Sequence, residues 1–280
     1  MPNVSIVTDS AADLDPETIK RLNIHVLPLN VRLGSETFRE GVDITSEQFL
    51  TRLRQAGGFP SVTPPSVSEF HRLYEELSNV SADILSLHVS SRLERVCDVA
   101  RKAAGSFLGR GKIEVMDSEA TSRAQGILVT AAAEAAQAGA SIDEIVRLVR
   151  GMIPHVYAIF FVDTLDYLEH DGRIGVAQAT LGTMLNIKAL LTIEDGDIIP
   201  MEKVRTDEKG IEKLVEFIAE FSNVEELLIL QDRQPLQTDD LLARLALLFP
   251  EREIPVLTYG PSLAAHVGPA ALGAVIYEGV

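Results

Sequence analysis

Hydroxyl-bearing and acidic side chains collect where short apolar runs end. The run VSIVT (4–8) leads into Thr8, Asp9 and Ser10, and LHVSS (87–91) closes on Ser90 and Ser91. EVMDS (114–118) closes on Asp117 and Ser118, and FFVDT (160–164) on Asp163 and Thr164. The Pro-flanked loop GFPSVTPPS (58–66) adds Ser61, Thr63 and Ser66. Side chains of these types either hold a ligand by O–H donation or accept from the first N–H groups of the next helix. Both uses stay open for each position, and capping is the more general one. It is the accumulation at strand ends that points to a site, because ligands of open α/β sheets bind outside the carboxyl ends of the strands.

Three cationic candidates stand apart from that set. His266 lies in GPSLAAHVGPAALG (260–273), between two Gly-Pro pairs and with no other ionisable side chain in the stretch. Arg173 follows the helix stop Asp171-Gly172, and Arg205 sits in EKVRTD (202–207) beside Lys203. Between the arginines, Gly175, Ala177, Ala179 and Gly182 allow close approach of backbone or ligand, while Met184, Leu185 and Ile187 suit an apolar cavity wall. The bland readings are a half-buried structural histidine and solvated arginines.

Other chemistries are excluded or left without a motif. Neither a P-loop nor a G-x-G-x-x-G follows the first apolar run, and the six histidines show no compact metal spacing. No G-x-S-x-G elbow is present, although a Ser–His–Asp set needs only proximity in space. With Cys97 as the single cysteine, neither an internal disulfide nor a thiolate zinc site can form. Lys and Arg number 25 against 41 Asp and Glu, a formal charge of −16, which argues against a nucleic-acid face and against more than transient contact with anionic membranes. The start MPNVSIVTDS does not read as a signal peptide, no apolar run approaches about 20 residues, and a cytoplasmic location is expected.

The elements that must carry these residues alternate. VSIVT (4–8), DILSLHVS (83–90), KIEVMDS (112–118), YAIFFVDTL (157–165), ELLILQD (226–232) and IPVLTY (254–259) read as buried strands. Helical spacing appears between them, as in Ile142, Ile145, Val146 and Val149, or Ile211, Leu214, Val215 and Ile218. AAAEAAQAGAS (131–141) is a strong helix former with a glycine stop. Strand–helix alternation predicts an α/β fold with mostly parallel sheets. At 280 residues two domains fit, 1–155 and 156–280, with the boundary near GMIPHVY. ALLTIEDGDIIPMEKV (189–204) breaks the alternation, and its Asp-Gly pair predicts a type I′ hairpin.

Taken together and in order, VTDSAADL (7–14), VTPPSVSEF (62–70), VSSRL (89–93), DTLDYLEHDGRIG (163–175), GTMLNIKALL (182–191), GDIIPMEKVRT (196–206) and HVGPAALG (266–273) resemble the DegV family of bacterial fatty-acid-binding proteins. The resemblance runs over essentially the whole chain. It implies two α/β domains with a fatty-acid tunnel associated with their interface. It also implies a non-enzymatic carrier that presents the carboxylate of a long-chain fatty acid to a separate ATP-using subunit of fatty acid kinase, with no cofactor or metal of its own. The implied carboxylate contacts fall on Thr63, Ser90 and Ser91, and the implied polar cluster on Arg173, Arg205 and His266. Two stretches depart from the family pattern: Val62 replaces a hydroxyl in the loop, and Glu94-Arg95-Val96 replaces Ser-Gly-Thr after VSSRL. Two other readings stay open, a serine-type esterase or acyl-phosphate hydrolase using Ser90 or Ser91 with His266, and a phosphotransfer or small-metabolite domain.

Overall fold

The computed structural model of the chain describes residues 4–107, 111–173, 188–232 and 235–279. It divides into two compact units. The first holds Met1–Ile44, Ser61–Pro154 and Asp195–Asp197, and the second holds Thr45–Pro60, His155–Glu194 and Ile198–Val280.

The first unit contains β1 (Val4–Asp9), β2 (His25–Leu27), β3 (Asn30–Leu33), β4 (Glu36–Arg39), β5 (Ser61–Thr63), β6 (Asp83–His88) and β7 (Ile113–Asp117). Four of these form a sheet in the order β2-β1-β6-β7 with every pair parallel. A second, antiparallel sheet has the order β4-β3-β5. Every residue of β1 is buried, as a doubly covered parallel strand requires. Helices Val67–Ser78, Val96–Ala104, Ser122–Gln137 and Ile142–Met152 belong to the same unit. Ile142, Ile145, Val146, Val149 and Met152 bury one face of the last, each contributing roughly 1.5–3 kcal/mol. Ser66 begins Val67–Ser78 with a capping box: the Glu69 N–H donates to the Ser66 hydroxyl at 3.3 Å, and the Ser66 N–H to the Glu69 carboxylate at 2.8 Å. The alanine-rich helix stops before Gly139, at φ +90°, as its sequence predicts.

The second unit contains β8 (Val156–Val162), β9 (Lys188–Glu194), β10 (Asp197–Val204, its first residue in the other unit), β11 (Val224–Gln231), β12 (Val256–Thr258) and β13 (Leu272–Glu278). Their order is β10-β9-β8-β13-β11-β12. The α/β class expected from the sequence is the one observed. Parallel pairing, however, runs through the first unit's main sheet only, and the second unit's sheet is mixed. Here β8 pairs antiparallel with β9 and with β13, β13 antiparallel with β11, and β11 parallel with β12. The cause is β13, which the reading of strands omits and which inserts between β8 and β11. Gly273 lets it seat, because a Cβ there would stand 2.5 Å from the Phe160 ring and 2.8 Å from the Ile159 carbonyl oxygen. The Asp195-Gly196 pair makes the expected turn between β9 and β10, with φ values of +49° and +79°. Phe161, Leu190, Leu214, Ile229 and Ile276 lie in this unit's core. Among the described residues no helix is long and apolar enough to cross a membrane.

Candidate functional site

The order β2-β1-β6-β7 has a switch point. From β1 the chain proceeds to β2 on one side, and β6 and β7 lie on the other, so a crevice is expected at the carboxyl ends of β1 and β6. Those ends are Asp9 and His88, followed by Val89, Ser90 and Ser91.

Ser90 is fully buried and both capacities of its hydroxyl are in use. It donates to the Gly196 carbonyl oxygen at 2.6 Å and accepts from the Arg92 N–H at 3.2 Å. The Ser90 N–H donates to the Ala120 carbonyl at 2.8 Å. Gly196 has no room for a side chain, since a Cβ would collide with the Ser90 hydroxyl. Ser91 is exposed; its N–H donates to Asp117 Oδ2 at 3.1 Å, and its hydroxyl donates to the same oxygen. The N–H groups of Val89, Ser90, Ser91, Arg92, Leu93 and Glu94 all have acceptors within the unit. An anion arriving here therefore meets the exposed Ser91 hydroxyl rather than a cradle of backbone N–H groups.

Below this loop lies a buried network that the sequence reading missed. Asp9 Oδ2 accepts from the Val89 N–H at 3.0 Å and from His88 Nδ1 at 2.8 Å. Asp9 Oδ1 accepts from the Ala11 N–H at 3.1 Å and from Gln125 Nε2 at 3.2 Å. His88 Nε2 lies 2.6 Å from the Ser86 hydroxyl, which accepts from the Tyr74 hydroxyl at 2.8 Å. The signal was present in sequence: Ser86 and His88 alternate with Leu85 and Leu87 in a strand buried from Ile84 onward, where polar groups must find partners.

Thr63 is exposed on β5 in the same unit, its hydroxyl 3.4 Å from the Asn30 carbonyl oxygen. Val62 pairs with Val31 in that small sheet. Ser10 is spent on local structure, donating to Glu40 at 2.6 Å and accepting from the Leu29 N–H at 2.9 Å.

In the second unit, His266 and Arg173 meet on a shared acid. His266 is 4% exposed on the helix Pro261–Val267, and its Nδ1 lies 2.9 Å from Asp171 Oδ2. Arg173 Nε donates to the same oxygen. Asp171 ends the helix Asp166–His170, and Gly172 follows at φ +74°, so the helix stop read from sequence also supplies the acid. Arg205 is exposed just before Thr206, the N-cap of the helix Asp207–Ala219, and does not join this cluster. Asp163, read as a strand-end acid, is bonded with Asp207 to the Lys188 ammonium. Gly175, Ala177, Ala179, Gly182, Met184, Leu185 and Ile187 lie outside the described residues.

Burial pushes the Asp171 carboxyl up, but the His266 bond and charge, followed by those of Arg173, outweigh it and hold it below its usual 3.8. A carboxyl lowered in the folded state stabilises above its unfolded value, and that contribution disappears as pH falls through the folded value. Unfolding by urea at pH 7 and near pH 3 is expected to show a smaller acid loss for Asp171→Asn than for the parent chain. Equal losses would contradict the assignment.

The first unit is thus an open parallel sheet with hydroxyls and a buried acid at its switch point, and the second a mixed sheet carrying a His–Asp–Arg cluster. A family model described as "Uncharacterised protein, DegV family" matches residues 3–279, and the chain belongs to that family. A DegV domain-containing protein of Streptomyces coelicolor is 35% identical over 281 residues, covering 98% of each chain. Among solved structures, a DegV family protein of Thermus thermophilus, described by its fatty acid binding, is similar at a TM-score of 0.87 and 30% identity over 99% of both chains. DegV of Bacillus subtilis, a fatty acid binding protein, matches at a TM-score of 0.87 and 28% identity over the full length of both.

Proposed function

We propose that this protein binds a long-chain fatty acid and presents its carboxylate to a separate ATP-dependent kinase subunit for acyl-phosphate formation in the cytoplasm. The observation that carries the reading is the end-to-end likeness to the Thermus thermophilus fatty-acid-binding protein. The chemistry is compatible. Each methylene buried contributes about 0.8 kcal/mol, so the acyl chain dominates affinity and the head-group donors set its orientation. The candidate donors are the hydroxyls of Thr63, Ser90 and Ser91. The cations Arg173, Arg205 and His266 suit a carboxylate, and suit the added charge of an acyl phosphate better than hydroxyls do. Ser91 is the stronger of the two serine candidates, because its hydroxyl is exposed and needs only to rotate from Asp117 to a ligand. The hydrolase reading has less support: the Ser90 hydroxyl donates to a carbonyl and the Ser91 hydroxyl to a carboxylate, rather than to an imidazole base.

Mass spectrometry of organic extracts from purified protein is expected to show a co-purified long-chain acid, and titration with a fluorescent fatty acid is expected to saturate. A protein that is always empty and does not bind the labelled acid would sink the proposal. Ser91→Ala should weaken binding about tenfold, the low end for a hydrogen bond to a charged group. Ser90→Ala should instead lower the unfolding midpoint, leaving the buried Gly196 carbonyl without its donor, with affinity nearly unchanged.

A further inference from the structure

We infer that Asp9 and His88 are positioning residues for the Ser90–Ser91 loop, acting through the buried chain Tyr74–Ser86–His88–Asp9; their consequence for ligand affinity rests on the fatty-acid reading above.

Backbone pairing between β1 and β6 runs as far as Val7 and Ser86. Beyond it the strand ends are held by the Asp9 side chain. Its Oδ2 takes the Val89 N–H, one residue before Ser90, while its Oδ1 holds the turn at Ala11 and the helix residue Gln125. Both oxygens are saturated, so the carboxylate has one orientation, and the backbone entering the loop is fixed by it.

His88 fixes that orientation in turn, and its own is fixed by the rest of the chain. The Tyr74 hydroxyl donates to Ser86, Ser86 donates to His88 Nε2, and His88 donates from Nδ1 to Asp9. In this order each hydrogen has an acceptor and each group donates once. Phe70 stands edge-on to the imidazole, with centroids 5.2 Å apart. Ser86, His88 and Asp9 thus have the connectivity of a hydrolytic triad, but all are 0% exposed, as is Tyr74, so the serine is sealed from any substrate. A core needing only stability is served as well by apolar side chains. What a saturated polar chain adds is a single geometry, and this one ends where the exposed hydroxyl begins.

The test separates the two nitrogens of His88. In His88→Asn the amide nitrogen takes the place of Nδ1 and keeps the bond to Asp9. In His88→Gln the amide group reaches the place of Nε2 and the bond to Asp9 is lost. Hydrogen exchange at the Val89, Ser90 and Ser91 amides is expected to quicken about tenfold in His88→Gln and to stay within about threefold in His88→Asn, with similar falls in Tm. The dissociation constant for a dansyl-labelled fatty acid should split the same way. Equal exchange at these amides in the two variants would overturn the inference, whatever the ligand result. If the exchange splits but the parent chain binds no fatty acid, the positioning role stands and the proposed function falls. Should His88→Gln not fold, Ser86→Ala takes its place: faster Val89 exchange supports the inference, and unchanged exchange overturns it.

Discussion

Asp9→Ala is expected to remove about 3 kcal/mol or more of stability, a large part of what a typical domain has. The Asp9 side chain is fully buried and accepts from the Val89 and Ala11 N–H groups, His88 Nδ1 and Gln125 Nε2. Alanine strands the Val89, Ala11 and His88 donors away from water, while Gln125 Nε2 keeps its bond to Thr8 Oγ1 at 3.1 Å. A buried donor left without a partner costs about 1–3 kcal/mol, so even the lowest value for each reaches a large part of a typical domain's net stability. Asp9→Asn keeps the volume and one acceptor oxygen, and should lose roughly half as much. Urea unfolding of the three proteins measures the series. A loss below about 1 kcal/mol for the alanine variant would show that water or neighbouring groups replace the carboxylate.

The second large effect is expected at Asp232→Ala. This residue follows β11, is 2% exposed, and accepts through Oδ2 from Arg54 and from the Ala270 N–H at 3.2 Å. Arg54 lies on the helix Ser46–Ala56, which belongs to the second unit although it precedes most of the first in sequence. The carboxylate therefore ties that helix to the loop entering β13. Arg54 keeps partial exposure and can turn to water when its partner is lost, so the cost is below that of a sealed pair, about 2 kcal/mol. The loss should be local as well as global. Hydrogen exchange in 46–56 should quicken well before that of β8 or β13. Protection of that helix unchanged from the parent chain would refute the assignment.

Much of the first unit was legible because its buried parallel strands show themselves as short, largely apolar runs, as in β1 and β6. The glycine stop at Gly139 and the Asp195-Gly196 turn are local devices, set by neighbouring residues alone, and were readable for that reason. β13 was harder. Its run LGAVIYE follows a histidine-bearing helix and two Gly-Pro pairs, and which strands it separates is a matter of distant pairing. The candidate residues were found as types but not as partners. Asp171 was visible as a helix stop and Asp117 as a strand end, yet their bonds to His266 and Ser91 join residues 95 and 26 positions apart. Asp9 was visible as a strand-end acid that caps a turn, which it does. Its four-way role needed the neighbouring strand and a helix over a hundred residues on.

The place of β13 has a consequence for how the protein is made. β8 and β11 each pair with it and not with each other. As the chain leaves the ribosome, β8, β9, β10 and β11 emerge in turn, but the sheet stays in two halves until 272–278 follow. The all-parallel sheet of the first unit has its last strand by residue 117 and can close early. Synthesis therefore yields a largely formed first unit beside a second whose halves wait, with open edges, for a strand that arrives late. Nascent chains stalled before 272 should expose that gap to chaperones or to each other, and emergence of 272–278 is the step that ends the exposure.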